Sequence, residues 1–146
     1  MFRIAEKYKK TIQPVLFFFY IIFVMWITLI IREPRVSERV LKLELFWAIR
    51  DCLGNAPLGD QEAIQYLLNV IFFVPVGFLF LWKKSWKYCF FIAMMFSAFI
   101  ELTQYIFNLG WCEIDDVFSN TLGSIIGLFL YRMLNKITGN RGEDRV

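Results

Sequence analysis

The sequence predicts an all-α integral membrane protein with four transmembrane helices, and both composition and hydropathy indicate this class. Of the 146 residues, 58% are hydrophobic, 19% are aromatic and only 20% are charged, whereas a soluble domain is about 45–50% apolar. A chain this short has too little polar surface to cover so much apolar surface in water. The composition therefore argues against a soluble enzyme, and it excludes disorder, which requires low hydrophobicity.

Four stretches have the length of membrane spans, because a helix that crosses a bilayer needs about 20 mostly apolar residues. We predict spans over residues 15–31, 66–82, 88–109 and 116–134. The first stretch is longer than the apolar run of a signal peptide and is followed by no small-residue cleavage site. We therefore expect it to be retained as the first span.

The basic residues predict the orientation of these spans. Eleven of the 16 Lys and Arg residues lie before the first span, between the second and third, or in the C-terminal region that begins at Arg132, near the end of the fourth. Cytoplasmic loops carry the excess of Lys and Arg, so we predict an N-in, C-in arrangement. A basic N-terminus over 1–14 and a tail over 138–146 then lie in the cytoplasm, on either side of a single membrane domain over 15–137.

The first outer loop, residues 32–65, mixes apolar and charged residues. Leucines, Phe46 and Trp47 alternate with Arg39, Lys42 and Glu44. This pattern predicts an interfacial segment that lies on the outer leaflet or dips into it. An ordinary solvated loop is the alternative.

Histidine and cysteine usage restricts the possible chemistry. The chain has no histidine, which excludes His-based catalytic triads and His metal sites. Cys52, Cys89 and Cys112 are too few and too scattered for a disulfide scaffold or a zinc site. We expect no metal, no cofactor and no nucleic-acid partner. Cys52 and Cys112 should lie on the outer side without a bridge between them, and Cys89 near the inner surface.

Polar side chains inside the spans mark a candidate site, because each costs free energy in lipid unless it is paired. Helical spacing aligns Ser97, Glu101, Gln104 and Asn108 on one face of the third span, and Asp116 and Asn120 on one face of the fourth. Helical rise places these groups in the outer half of the membrane. The candidate ligand-binding residues are Asn69, Glu101, Gln104, Asp115, Asp116 and Asn120.

A purely structural role for these groups is the alternative. Polar side chains hydrogen-bond between membrane helices, and Asp115 or Asp116 could cap the fourth helix. Glu101 favours a ligand-binding site over a structural role. A Gln at this position could join the helices by hydrogen bonds without the cost of an ionisable group in the membrane. We expect Glu101 to be protonated or held by amide donors from Gln104, Asn69 and Asn120.

Small residues and a proline predict how the helices pack. Gly123 and Gly127 form a GxxxG pattern that lets a neighbouring helix approach closely. Pro75 removes a backbone donor inside the second span, and with Gly77 it should kink or loosen that helix. We assign these four residues structural roles.

Three motifs occur in order: NVIFFVPVGF at 69–78, ELTQ at 101–104 and DDVFSNTLG at 115–123, followed by Gly127. Together they resemble the VanZ-like family of small bacterial membrane proteins. Some members carry an Arg in the turn before the Asp-Asp pair, where this chain has GWCE at 110–113. The resemblance implies a multi-pass protein of the bacterial cytoplasmic membrane and cell envelope. It also implies, for some members, antibiotic resistance in the form of lowered susceptibility to teicoplanin-type glycopeptides.

Three functions fit these residues. The first is a binding protein that holds a membrane lipid or a cell-wall precursor by its head group in an outer-leaflet pocket lined by acids and amides. The second is an outer-leaflet enzyme that acts on a lipid-linked group through Glu101, Asp115 and Asp116. The third is a proton- or cation-coupled transport element in which Glu101 titrates. The residues leave all three open, and they do not specify the oligomeric state.

Overall fold

The computed structural model describes residues 2–31, 39–54, 57, 59–80 and 85–137. Five helices and two short strands follow in the order α1 (Phe2–Met25), β1 (Leu41–Lys42), α2 (Trp47–Leu53), α3 (Gly59–Phe80), α4 (Trp86–Ile106), β2 (Cys112–Glu113) and α5 (Ile114–Ile137). A π-helical turn over Trp26–Ile30 extends α1. The predicted tail, residues 138–146, lies outside the described residues.

Four of the described helices are long and apolar enough to cross a membrane, which confirms the predicted number. The qualifying segments are Ile12–Ile30, Gly59–Leu79, Trp86–Ile106 and Ile114–Ile137. The third helix of the chain, α3, starts well before the predicted position 66, because its first turn carries Asp60 and Glu62. Acidic residues stabilise a helix N-terminus, although they lower the local hydropathy from which the span was predicted.

The helices alternate in direction. Gln13 of α1 donates to the Phe78 carbonyl and Tyr20 of α1 donates to the Phe72 carbonyl of α3, so these two helices are antiparallel. Ser97 of α4 donates to the Asp116 carbonyl and Cys89 of α4 donates to the Ser124 carbonyl of α5, so α4 and α5 are also antiparallel. One end of the bundle, which we call the loop end, therefore carries β1, α2 and β2.

Glycines bring α3 and α5 into backbone contact. A Cβ atom added at Gly77 would lie 1.7 Å from the Ser124 carbonyl oxygen, and one added at Gly127 would lie 1.9 Å from the Val74 carbonyl oxygen. A Cβ atom at Gly123 would lie 2.1 Å from the Val70 carbonyl oxygen. The close approach predicted for the GxxxG pattern is thus present, and α3 is the partner. Helix α3 continues through Pro75.

Many side chains in the interior of the bundle are small and polar, whereas many on its exterior are large and apolar. Ser97, Ser119 and Ser124 are fully buried, whereas Leu67 and Ile71 project outward. This pattern is typical of helix packing in lipid, where small residues let backbones approach and hydrogen bonds join the helices. A compact apolar core lies between α1, α3 and α4 and consists of Val24, Phe73, Val76 and Ile100.

Residues 39–54 fold onto the loop end. Strand β1 pairs in parallel with β2, with Leu41 opposite Cys112 and Lys42 opposite Glu113. Trp47 of α2 packs against Tyr66 of α3. Residues 39–54 therefore form a structured cover for the bundle, while their contact with a membrane surface stays a prediction.

Candidate functional site

A cavity of about 150 Å³ lies at the loop end between α2, α3, β2 and the start of α5. Its wall combines carboxylates with aromatic rings, and it is open on one side. The lining residues are Trp47, Ala48, Glu62, Gln65, Tyr66, Trp111, Glu113, Asp115 and Asp116. Acidic and aromatic surfaces together suit the recognition of a cation.

Asp115 holds the cover of the bundle in place. Its carboxylate accepts hydrogen bonds from the backbone N–H of Phe46 through Oδ1 and of Ala48 through Oδ2, the latter at 3.3 Å. Phe46 precedes α2 with a left-handed φ of 60°, and its phenyl side chain has no acceptor that could cap the helix. A residue of α5 therefore satisfies the free donors at the start of α2, and Asp115 is only 1% exposed.

Glu101 has a similar role at the start of α5. Its Oε2 accepts a hydrogen bond from the backbone N–H of Glu113 at 3.2 Å, and the side chain is buried. A carboxylate at this position is stabilised by the positive end of the helix macrodipole. Glu101 does not line the cavity but lies behind the wall that Glu113 forms.

Two of the amide groups expected near Glu101 donate hydrogen bonds that join helices. Asn120 Nδ2 donates to Ser97 Oγ at 2.9 Å, and Gln104 Nε2 donates to the Thr28 carbonyl at 3.0 Å. Thr28 lies in the π-helical turn that extends α1. Asn69 Nδ2 is buried with no acceptor among the described residues. These amides lie between the helices and do not line the cavity.

Of the six sequence-predicted ligand-binding residues, the structure places Asp115 and Asp116 in the cavity wall. Sequence reasoning missed the acidic groups Glu62 and Glu113 and the rings of Trp47, Tyr66 and Trp111. Glu62 and Tyr66 lie one helical turn apart on α3, which was a usable signal. Glu113 and Trp111 lie in the turn before the Asp-Asp pair, but only the folded chain brings that turn against α2 and α3.

Burial and neighbouring negative charge raise the pKa of Glu113 to about 7 from its ordinary value of 4.5. Burial is the largest cause, Asp116, Asp115 and Glu62 add to it, and Lys42 opposes it. Because the pKa is raised in the folded state, the stabilising contribution of Glu113 is complete below pH 4.5 and is lost as the pH rises through about 7. Ionised Glu113 therefore needs a compensating cation.

Lys42 already places one ammonium group against this wall. Its Nζ lies 2.8 Å from the centroid of the Trp47 ring and 5.5 Å from that of Trp111. The pairing of β1 with β2 fixes its backbone opposite Glu113. The chain itself thus shows that these indoles accept an ammonium group.

The three cysteines are free thiols, as expected. Cys52 donates to Asp60 Oδ1 at 3.6 Å, and Cys112 lies on β2 at the loop end. Burial, Glu101 and Glu113 raise the pKa of the Cys112 thiol. Among the described residues, no three Cys, Asp or Glu side chains converge on a metal position.

A helical bundle with membrane-spanning dimensions and an acidic, aromatic cavity at one end defines a small multi-pass membrane protein. The chain belongs to the VanZ/LLP1 family, whose family model matches residues 17–135, well over half of the sequence.

A curated relative supports the same assignment. The chain is 36% identical over 83 residues to the protein named Protein VanZ of Enterococcus faecium, across 53% of this chain and 50% of the relative. It therefore spans about half the length of that protein. No solved structure matches the chain.

Proposed function

We propose that the protein holds the polar head group of an envelope lipid or cell-wall precursor in the loop-end cavity, at the outer face of the bacterial cytoplasmic membrane. By holding this head group, the protein lowers the susceptibility of the cell to teicoplanin-type glycopeptides. The observation that carries the proposal is the cavity itself, which joins Glu113 and Asp116 to the rings of Trp47 and Trp111. Membership of the VanZ/LLP1 family supports the link to glycopeptides.

The size of the cavity favours a head group over the antibiotic. Drug-sized ligands occupy pockets of about 300–1,000 Å³, whereas this cavity measures about 150 Å³. A few heavy atoms of a head group fit, and a glycopeptide does not.

Binding accounts for the geometry better than the enzyme hypothesis does. That hypothesis gave acid and base roles to Glu101, Asp115 and Asp116. Glu101 and Asp115 accept hydrogen bonds from backbone N–H groups that begin α5 and α2, and a carboxylate so held positions the backbone. The transport hypothesis gave the titrating role to the same Glu101. The amides of Gln104 and Asn120 on the polar faces join helices to one another.

Glu113→Gln should abolish the drug phenotype, because it removes the Glu113 carboxylate from the cavity and keeps the size of the side chain. The measurement is teicoplanin susceptibility of a sensitive host at matched expression. Glu44→Gln is the control. It is the same chemical substitution, but Glu44 lies on the surface and pairs with the exposed Arg50. We expect Glu113→Gln to match the empty vector and Glu44→Gln to match the parent. Equal protection by both variants would contradict the proposal.

The proposal requires the loop end to face outward. In a background where the other native cysteines are Ser, Cys52 should react with an impermeant maleimide on intact cells at pH above 8. Burial and Asp60 raise the pKa of the Cys52 thiol, which sets that pH. Lys87→Cys, exposed in the first turn of α4, should react only after lysis. The reverse labelling pattern would place the cavity in the cytoplasm and refute the proposal.

A further inference from the structure

We infer that the loop-end cavity binds a primary ammonium group that carries an oxygen acceptor within a few bonds. This inference rests on the proposed function and names the ligand class of the same cavity. The shared chemistry occurs in ethanolamine phospholipids and in aminoacyl esters of envelope polymers.

Charge gives the cavity its preference for a cation. Glu62, Glu113 and Asp116 face it, and Lys42 is the cation that the structure sets against the same wall. Carboxylates thus outnumber the ammonium group. Because these carboxylates do not converge to metal-ligand geometry among the described residues, they suit an organic cation that spans the gap between them.

Trp47 indicates the second part of the ligand. Its indole is 3% exposed and lines the cavity, and its Nε1 has no acceptor among the residues that the structure describes. A buried donor without an acceptor costs free energy. A phosphate or ester oxygen next to the ligand's ammonium group would supply the missing acceptor.

Lys42 allows the sign of the ligand charge to be tested. Its ammonium group touches the Trp47 ring, so it repels a second cation in the cavity and attracts an anion. Lys42→Met keeps the length of the side chain and removes its charge. The variant should bind an ammonium ligand about tenfold more tightly, a modest fraction of the Coulomb interaction at this range.

Isothermal titration calorimetry on the purified full chain in maltoside detergent tests the inference. The probes are glycerophosphoethanolamine, alanine methyl ester and the N-acetylated form of each, with calcium chloride as the metal control. We expect one or both amines to bind and neither N-acetylated form to do so. The amine that binds more tightly identifies the lipid or the ester source.

Variants make the test specific. Glu113→Gln should weaken amine binding by about tenfold or more, as expected for a lost charge-assisted hydrogen bond, whereas Glu44→Gln should leave it unchanged. Trp47→Phe keeps an aromatic ring but removes the indole N–H donor, so it should weaken the binding of both amine probes. Thermal unfolding verifies that each variant is folded. The tighter binding expected of Lys42→Met is a gain that misfolding cannot produce.

Affinity for glycerophosphoethanolamine, whose ammonium group stays charged over this range, should rise between pH 6 and pH 8 as Glu113 ionises. The charged groups around Glu113 are Asp115 and Asp116 on α5, Glu62 on α3, Lys42 on β1 and Glu101 on α4. The rise should vanish in Glu113→Gln. A pH-independent affinity in the parent would count against Glu113 as an ammonium partner.

The inference is overturned if no amine binds better than its N-acetylated form, if Lys42→Met weakens binding, or if only calcium binds. Its failure is distinct from failure of the proposed function. Glu113-dependent drug protection without amine binding would refute the ligand class alone. Amine binding without any drug phenotype would refute the proposed function alone.

Discussion

Gly127→Ala is expected to destabilise the protein by about 3 kcal/mol or more, at the upper end of overpacking effects. The added Cβ atom would lie 1.9 Å from the Val74 carbonyl oxygen and 2.8 Å from the Phe78 nitrogen. Both neighbours are backbone atoms in the C-terminal half of α3, so α3 and α5 must separate there. Thermal unfolding in detergent, followed by circular dichroism, measures the loss.

Gly54→Ala is the matched control for this substitution. Gly54 is exposed, and a Cβ atom there would lie 3.2 Å from the Arg50 carbonyl oxygen and 3.8 Å from the Asp51 carbonyl oxygen. We expect a change of less than about 1 kcal/mol. The double variant Gly77→Ala/Gly127→Ala should lose less free energy of unfolding than the two single variants lose together. One separation of the helices relieves both clashes. Additive losses, or a Gly127→Ala protein as stable as Gly54→Ala, would show that the helices are not in backbone contact.

Asp115→Ala is expected to release the cover of the bundle at a cost of about 3 kcal/mol. Hydrogen bonds to a charged group contribute about 1.5–3 kcal/mol each, and Asp115 makes two, to Phe46 and Ala48. Hydrogen exchange should accelerate at these two amides, and trypsin should cut after Arg50 at a lower enzyme concentration. Asp115→Asn keeps one acceptor and should give an intermediate effect.

Asp51→Asn is the control for Asp115. Asp51 also lies in this part of the chain, but its partner Arg50 is exposed, and exposed pairs contribute little. Its exchange rates and tryptic pattern should match the parent. If Asp115→Ala left the Phe46 and Ala48 amides protected, the cover would have to be held by β-pairing and apolar contacts alone.

These expectations give a physical meaning to the three family-like motifs. Gly77, Gly123 and Gly127 set the distance between α3 and α5. Glu101 and Asp115 satisfy the N-termini of α5 and α2. Most of the motif therefore builds the frame around the cavity.

The GWCE turn at 110–113 supplies two cavity residues, Trp111 and Glu113. Some VanZ-like members carry an Arg in this turn. Here the cation near Glu113 is Lys42, which reaches it from β1 across the parallel pairing of the two strands. Lys42, which is distant in sequence, thus places a positive charge beside the turn.

The sequence by itself determined the four spanning helices, because apolar length is a local property that requires no knowledge of neighbours. It also determined the polar faces of α4 and α5, since helical spacing alone aligns Ser97 with Glu101 and Asp116 with Asn120. The contact of Asn120 with Ser97 bears out that alignment.

Only the tertiary structure decided what these groups do. Helical periodicity shows which side of a helix a residue occupies, but it does not show which backbone atoms approach that side. Asp115 could be taken from the sequence as a cap of its own helix or as a ligand, and the fold makes it the cap of α2. The cavity joins Trp47, Glu62 and Glu113, which are distant in sequence. Their meeting depends on the pairing of β1 with β2 and on the packing of α2 against α3, and these long-range contacts have no local pattern in the sequence.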